Sequence, residues 1–191
     1  MIRLFVAVDL PASVRRELAS LCVGVPAAKW VRPEQMHLTV RFIGEVDGGR
    51  FEDIAMGLGG IVLPEMELQV AGVGSFGDRR GANVLWAGAT PVEAVTRLHD
   101  KIESRLARIG VERDRRKFHP HVTLARLNGA RDHRVAKFLG DNAGFTTPPF
   151  VAREFGLYSS FLAQSGAIHR LEAAYSLDEQ AAPLGLDRTG E

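Results

Sequence analysis

The residues best suited to chemistry are two copies of a short histidine–threonine motif. The first reads His37-Leu-Thr-Val, and the second reads His121-Val-Thr-Leu about half the chain length further on. A β-strand presents residues i and i+2 on one face, so each copy would project an imidazole beside a hydroxyl. Histidine changes its charge near neutral pH, and a hydroxyl can donate to an oxyanion. One copy is more often structural than functional, so it is the pair that indicates a site.

A pair of histidines suits in-line displacement at phosphorus. One neutral imidazole takes a proton from the attacking nucleophile, and the other, protonated, gives a proton to the leaving oxygen. The hydroxyls of Thr39 and Thr123 could donate to the remaining phosphoryl oxygens, where negative charge accumulates. Side chains supply all of these interactions, so this hypothesis requires no metal and no other cofactor.

Two other interpretations of these residues remain open. The histidines could be structural residues that resemble each other by coincidence. A zinc site built from His37, His119 and His121 would have three nitrogen ligands. That arrangement would leave the two threonines without a role.

The pattern of apolar residues indicates the elements that must position the motifs. Residues 36–43 and 122–127 alternate as half-buried strands, and each carries one motif. The most regular helix pattern follows Thr90-Pro-Val-Glu, a capping-box pattern with proline at the first helical position, and runs to Ile109. Further strands are expected at 2–8, 29–31, 65–76, 84–87, 148–158 and 167–177, and helices after Pro11, over 51–58 and over 131–139. Strands and helices mix without regular βαβ alternation, which favours an α+β fold.

The similarity between the two motifs extends to their surroundings. Each motif is preceded by a strand, a helix and a connection, and no low-complexity linker divides the chain. Two lobes related by a pseudo-twofold axis would bring the motifs face to face in one cleft. We therefore expect a single bilobal domain over residues 1–177, with 178–191 a frayed C-terminal tail.

The composition is that of an ordinary soluble globular protein and excludes several classes. The chain has 191 residues, 46% hydrophobic and 25% charged, and a net charge of +1, so any attraction to nucleic acid must be local. A single cysteine, Cys22, excludes an internal disulfide and a cysteine-rich zinc site. The apolar run at residues 4–8 is too short for a signal-peptide core, and no run approaches the length of a membrane span. We expect a cytoplasmic protein that acts as a monomer.

Segments spread over nearly the whole chain resemble the 2H phosphoesterase superfamily, which has paired His-x-Thr-x motifs. Within that superfamily, the sequence is similar to the RNA 2′,3′-cyclic phosphodiesterase family, formerly called 2′-5′ RNA ligase. The segments that carry the resemblance occur in the expected order and are residues 3–11, 30–34, 37–45, 84–88, 118–126 and 157–160.

The resemblance implies a bilobal α+β fold with pseudo-twofold symmetry, in which two antiparallel sheets face each other across a groove with helices outside. It implies hydrolysis of an RNA 3′-terminal 2′,3′-cyclic phosphate to a 2′-phosphate. On the family pattern, His37 is the general acid that protonates the leaving 3′ oxygen, and His121 is the general base that activates water. Thr39 and Thr123 would hold the phosphoryl oxygens. A small cyclic nucleotide as substrate, or reversible formation of 2′-5′ bonds, is an alternative within the same chemistry. An RNA-binding module whose histidines bind without turnover is an alternative from another class.

Two arginines are candidates for contacting the substrate. Arg126 matches the arginine that follows the second motif in the family, which is implied to contact phosphate or ribose. Regular alternation places Arg126 opposite to His121, so the strand must end or bulge there, or the side chain must curl back. Arg41 lies on the His37 face by the same alternation, where it either steers the anionic substrate or pairs with an acid at the groove rim. The basic stretch 113–117 is either a contact for the RNA backbone or a solvated loop.

The chain departs from the family pattern near its end. Many relatives have a Gly-Pro-x-Tyr-like segment where this sequence reads Gln164-Ser-Gly-Ala-Ile-His169. A groove wall built from this loop is expected to alter which nucleotide is preferred.

Of the other histidines, we expect His119 to be a structural or supporting group beside His121. The remaining ones are expected to be solvated at the surface and are His99, His133 and His169. The implied partners are RNA ends with a 2′,3′-cyclic phosphate, among them tRNA fragments.

Overall fold

The computed structural model describes residues 1–26, 28–78, 81–130, 133–163 and 166–178. The strands are β1 (Ile2–Asp9), β2 (Lys29–Trp30), β3 (His37–Val46), β4 (Met66–Asp78), β5 (Gly81–Thr90), β6 (His121–Ala130), β7 (Phe150–Ala152), β8 (Glu154–Ala163) and β9 (Gly166–Ser176). The helices are α1 (Ala12–Ser20), α2 (Gly48–Leu58), α3 (Val92–Arg108) and α4 (His133–Asp141), with a short 3-10 helix at Pro33–Gln35. None of the helices within these ranges is long and apolar enough to cross a membrane.

The strands of the described ranges form one nine-stranded antiparallel sheet. Their order is β7-β4-β5-β6-β3-β1-β8-β9, and β2 pairs with β6. One half of the sheet contains β1, β3, β8 and β9, and the other contains the remaining strands. The halves meet where Leu38 of β3 lies opposite Val122 of β6. The α+β architecture is confirmed, and the two sheets of the expected fold are the two halves of this continuous sheet.

The two halves repeat the same order of elements. A strand, a helix and a motif-bearing strand form β1–α1–β3 in the first half and β5–α3–β6 in the second. The next long strand of each repeat then crosses to the other half, since β4 pairs with β5 and β8 pairs with β1. This exchange leaves the two motif strands adjacent at the centre of the sheet.

Helix α3 is the element that the sequence predicts best. Its buried residues recur every three or four positions and are Ala94, Val95, Leu98, Ile102, Glu103 and Leu106. The apolar residues of this face pack into the core that the helices form against the sheet, and the one charged residue is Glu103. The helix begins at Val92, and Pro91 occupies the N-cap without a side-chain hydrogen bond, so the capping-box prediction is wrong while the helix itself is confirmed.

Strand β3 has a β-bulge directly after the threonine of its motif. Thr39 lies opposite Ala7 of β1, but the preceding residue of β1 pairs with Arg41. Val40 is therefore an extra residue on β3. A bulge reverses the side-chain alternation of every residue beyond it.

The second motif strand repeats this feature at the equivalent position. Thr123 of β6 lies opposite Trp86 of β5, and the preceding residue of β5 pairs with Ala125. Leu124 is the extra residue here. Residues after both motifs therefore point to the opposite face from the one that regular alternation predicts.

The last two described residues, Leu177 and Asp178, are held against the rest of the fold. Leu177 is buried, and the Asp178 N–H donates to the carbonyl of Leu63 at 2.8 Å. Most of the expected C-terminal tail, residues 179–191, lies outside the described ranges. Strand β4 ends at Asp78 and β5 begins at Gly81, and residues 79 and 80 between them lie outside the described ranges.

Candidate active site

The two motifs lie side by side at the centre of the sheet. The Leu38–Val122 pair is antiparallel, so each motif histidine is next to the threonine of the other motif. Both residues of this pair are fully buried on the helix side. The four flanking side chains are partly exposed on the other face and are His37, Thr39, His121 and Thr123. The structure thus brings two imidazoles and two hydroxyls together in one patch, which we call the motif patch.

Both motif histidines are oriented in the same way. His37 Nδ1 lies 2.8 Å from the carbonyl oxygen of Gln35, and His121 Nδ1 lies 2.7 Å from that of His119. A carbonyl oxygen only accepts, so Nδ1 carries a hydrogen, and Nε2 is the nitrogen that can gain or lose a proton. In both cases the acceptor lies two residues before the histidine, so the adjoining backbone holds the ring.

Aromatic rings surround His37. Phe5 stacks on it with ring centroids 4.9 Å apart, and Tyr158 stacks on Phe5 at 5.3 Å. His169 of β9 makes a T-shaped contact with His37 at 5.2 Å. Burial lowers the pKa of His37 to about 4; the His169 imidazole adds to this effect, and the hydrogen bond to Gln35 opposes it.

Aromatic rings also surround His121. Phe76 makes a T-shaped contact with it at 4.9 Å, and Trp86 packs on His119 at 4.7 Å. Burial lowers the pKa of His121, and the hydrogen bond to the His119 carbonyl opposes this effect. The supporting role expected of His119 is therefore performed by its backbone. Both motif histidines are neutral in the free protein at neutral pH.

The structure places Arg41 away from the motif patch, which corrects its expected role as a substrate contact. The bulge at Val40 turns Arg41 to the helix side of the sheet, where its side chain is 6% exposed. Its Nε donates to the Glu103 carboxylate of α3, and its terminal nitrogens donate to the carbonyls of Phe42 and Glu112. Arg41 therefore pairs with an acid in the core rather than at the groove rim.

Arg126 is turned toward the motif face by the second bulge. Leu124 and Ala125 are both buried in the core, and Arg126 is exposed. The bulge that the position of Arg126 required is therefore present. The equivalent residue after the first motif is Phe42, which is 49% exposed and lies 5.8 Å from Phe5 between ring centroids. The exposed residue that follows each bulge is thus an arginine after the second motif and a phenylalanine after the first.

Sequence reasoning missed His169. We expected a solvated side chain, but its ring contacts His37, and its Nδ1 is buried without a hydrogen-bond partner among the described residues. The departure of the C-terminal segment from the family pattern was the only signal. His99 is a second correction, because its side chain is 12% exposed and stacks on Phe118 at 4.1 Å. His133 is exposed on α4, as expected.

Two alternatives raised by the sequence can be compared with the structure. Within the described ranges, no three His, Cys, Asp or Glu side chains are grouped so that they could hold a metal ion. The zinc ligands considered above, His37, His119 and His121, are therefore not arranged as such a set. In the basic stretch 113–117, Arg116 pairs with Asp114 at 2.6 Å, which neutralises part of the positive charge within the loop itself.

A pseudo-twofold α+β fold with one histidine–threonine motif on each of its two central strands defines the two-histidine phosphoesterases. Comparison of the sequence with known protein families supports the same class. The chain belongs to the LigT-like phosphoesterase family, whose model matches it twice, over residues 8–86 and 89–169. Each match contains one motif, so the repeat seen in the fold is also a repeat of the family.

Named relatives and solved structures cover most of the chain. An RNA 2′,3′-cyclic phosphodiesterase of Archaeoglobus fulgidus is 29% identical over 171 residues, which is 88% of this chain and 96% of the relative. Escherichia coli LigT, solved as a complex with 3′-AMP, is 28% identical with a TM-score of 0.73, covering 92% of this chain and 98% of that one. The protein TT0787 of Thermus thermophilus is 25% identical with a TM-score of 0.77, covering 93% and 99%.

Proposed function

We propose that this protein hydrolyses the 2′,3′-cyclic phosphate at the 3′ end of RNA to a 2′-phosphate. The observation that carries the proposal is the motif patch, in which two imidazoles and two hydroxyls flank the Leu38–Val122 pair. The activity named for the Archaeoglobus fulgidus relative supports the substrate class. The family resemblance supports the direction of ring opening.

The proposed reaction adds one water across one P–O bond. Nε2 of His121 takes a proton from water, and the water oxygen attacks phosphorus in line with O3′. The P–O3′ bond breaks, and Nε2 of His37 gives its proton to O3′. The products are a 3′-hydroxyl and a phosphate on O2′, and a proton has moved from His37 to the product and from water to His121.

The two threonines would stabilise the negative charge that builds on the non-bridging oxygens of the phosphoryl group. Each hydroxyl can donate one hydrogen bond to a non-bridging oxygen, and donors aimed at developing charge contribute strongly to such reactions. Arg126, exposed on the same face, would contact the phosphate or the ribose. These groups supply proton transfer and charge stabilisation from side chains, so the proposed mechanism uses no metal ion.

Substrate binding must change the protonation of the site. Both imidazoles are neutral in the free protein at neutral pH, whereas the mechanism needs His37 protonated and His121 neutral. The negative charge of the cyclic phosphodiester favours the protonated form of an adjacent imidazole. Proton uptake by His37 on binding is therefore part of the proposal.

The proposed partners are RNA ends, among them tRNA fragments. The enzyme would act as a monomer in the cytoplasm, where its single cysteine stays reduced. The 3′-AMP complex of Escherichia coli LigT favours one second candidate, a small cyclic nucleotide as substrate.

A turnover comparison tests the proposal. Pure protein should convert an oligonucleotide that ends in a 2′,3′-cyclic phosphate and leave the same oligonucleotide with a linear 3′-phosphate unchanged. Adenosine 2′,3′-cyclic phosphate is added as a competitor. Stronger turnover of the mononucleotide than of the oligonucleotide would favour the second candidate. Binding of both without turnover would leave only a non-enzymatic RNA-binding module.

A further inference from the structure

Two exposed basic residues lie directly opposite each other beside the motif patch. In the short pairing between β2 and β6, Lys29 lies across from Arg126, and both residues are exposed. Residues that are directly opposite in an antiparallel pair point their side chains to the same face of the sheet. Because the second bulge turns Arg126 to the motif face, Lys29 points to that face as well. We call Lys29 and Arg126 the cation pair.

The cation pair has no counter-ion in the part of the chain that the structure describes. Neither side chain forms an ion pair or a hydrogen bond with a described residue. On its other side, Arg126 lies next to Val84 of β5, which carries no charge. Like charges that are directly opposite in a sheet destabilise it. This arrangement favours an anion bound between the two side chains, and a phosphate suits both an ammonium and a guanidinium group.

The cation pair lies one step along β6 from the threonine of the second motif. Since Leu124 is the extra residue of the bulge, Arg126 is the next residue after Thr123 on the motif face. Two positions of a strand separate them, which is about 7 Å. This distance is close to the spacing of successive phosphates in an RNA strand. One RNA strand can therefore place one phosphate at Thr123 and the next at the cation pair.

The direction of this step agrees with the proposed reaction. Because the two motif strands are antiparallel, Thr123 lies next to His37, and the cation pair lies beyond that end of the motif patch. In-line attack from the His121 side leaves the ribose, which carries O3′, on the His37 side of phosphorus. The 5′-phosphate of the same nucleotide is then within reach of the cation pair. A cyclic mononucleoside phosphate has no such group.

We propose that Lys29 and Arg126 bind the 5′-phosphate of the terminal nucleotide, which is the phosphodiester that joins this nucleotide to the rest of an RNA chain. The inference rests on the proposed function, because it places the cyclic phosphate at the motif patch. Lys29 is then a specificity-determining residue. It distinguishes an RNA end from a cyclic mononucleoside phosphate, although the reacting atoms of the two substrates are the same.

Two cyclic substrates that differ by one phosphate test the inference. Values of kcat/KM are measured for adenosine 2′,3′-cyclic phosphate and for its 5′-phosphorylated form. In the wild-type protein the 5′-phosphate should raise kcat/KM about tenfold, mainly through KM, because this remote contact is the same in the ground state and the transition state. Lys29→Gln should lose most of this gain and keep the wild-type kcat/KM for the substrate without the 5′-phosphate.

Two further variants control for charge and folding. Lys29→Arg keeps the positive charge and should keep the gain. Lys101→Gln makes the same charge change on the exposed face of α3 and should leave both values of kcat/KM unchanged. Equal values for the two substrates in the wild-type protein would overturn the inference. A gain that survives in Lys29→Gln, or a loss that is the same for both substrates, would overturn it as well.

Binding of product analogues gives a readout without turnover. Calorimetry compares adenosine 2′-phosphate with adenosine 2′,5′-bisphosphate. The bisphosphate should bind about tenfold more tightly to the wild-type protein but not to Lys29→Gln, and the difference should shrink as the salt concentration rises. Equal affinities in the wild-type protein would overturn the inference. Absence of turnover of every cyclic substrate would overturn the proposed function, whereas the bisphosphate comparison would still decide whether the cation pair binds a 5′-phosphate.

Discussion

The buried ion pair between β3 and α3 allows a prediction that can be worked from the structure. The Arg41 and Glu103 side chains are 6% and 9% exposed, so water cannot replace a missing partner. Glu103→Ala would leave the guanidinium buried with only the two carbonyl oxygens that it already contacts. Removing one partner of a buried pair costs about 3–5 kcal/mol of unfolding free energy, a large part of the roughly 5–15 kcal/mol of a typical domain. The melting temperature should fall by roughly 6–20 °C for a chain of this size.

Urea unfolding followed by circular dichroism measures this cost, with two matched variants. Glu45→Ala breaks the Arg3–Glu45 pair, whose side chains are 48% and 51% exposed, and should cost no more than about 1 kcal/mol. The double variant Arg41→Met with Glu103→Leu should recover most of the lost stability, because apolar residues often replace a buried pair at little cost. A Glu103→Ala cost equal to that of Glu45→Ala would refute the burial of the pair. Since Arg41 faces the core, the double variant should also keep the kcat/KM of the wild-type protein. A loss of about 100-fold in kcat/KM would instead show that Arg41 contacts the substrate.

The remaining predictions concern catalysis. His37→Ala and His121→Ala should each lose at least about 10²-fold in turnover while remaining folded. The double variant should lose less than the product of the two single losses, because both histidines act on one transition state. Folded single variants with near-normal turnover would contradict the mechanism. Activity should persist after exhaustive chelation, and a loss that a divalent ion restores would support a metal-dependent site. The pH profile of kcat/KM should be a bell with its maximum below pH 6.5, because the pKa of His37 lies near 4 and that of His121 is lowered as well. A kcat/KM that rises through neutral pH would contradict this assignment of protonation states.

The features that the sequence predicted well are local ones. The apolar spacing along α3 and the alternation around the motifs depend on neighbours a few residues apart, so a single sequence contains the information. That the two motifs come together was accessible for a different reason, since two similar segments half a chain apart indicate symmetric repeats. Their arrangement was not: the sequence predicted motifs face to face across a cleft, whereas they lie side by side on neighbouring strands of one sheet.

The errors have long-range causes. One extra residue at Val40 reverses the face of Arg41, and no residue type marks that position as a bulge before the register with β1 is known. The matching bulge at Leu124 could be inferred only because Arg126 had an expected role. The contact between His169 and His37 depends on β9 lying at the end of the sheet beside β8, which is a pairing between distant segments.

The most direct test of the account is the identity of the product formed from an oligonucleotide with a 2′,3′-cyclic phosphate end. If His37 protonates O3′ while His121 activates water on the opposite side of phosphorus, the P–O3′ bond breaks and the phosphate stays on O2′. Phosphorus NMR of the product distinguishes the two isomers. The account predicts a 2′-phosphate beside a free 3′-hydroxyl, formed at least about 10²-fold more slowly by either histidine variant than by the wild-type protein. A product with only a 3′-phosphate would contradict the assignment of acid and base, even if both histidines proved essential.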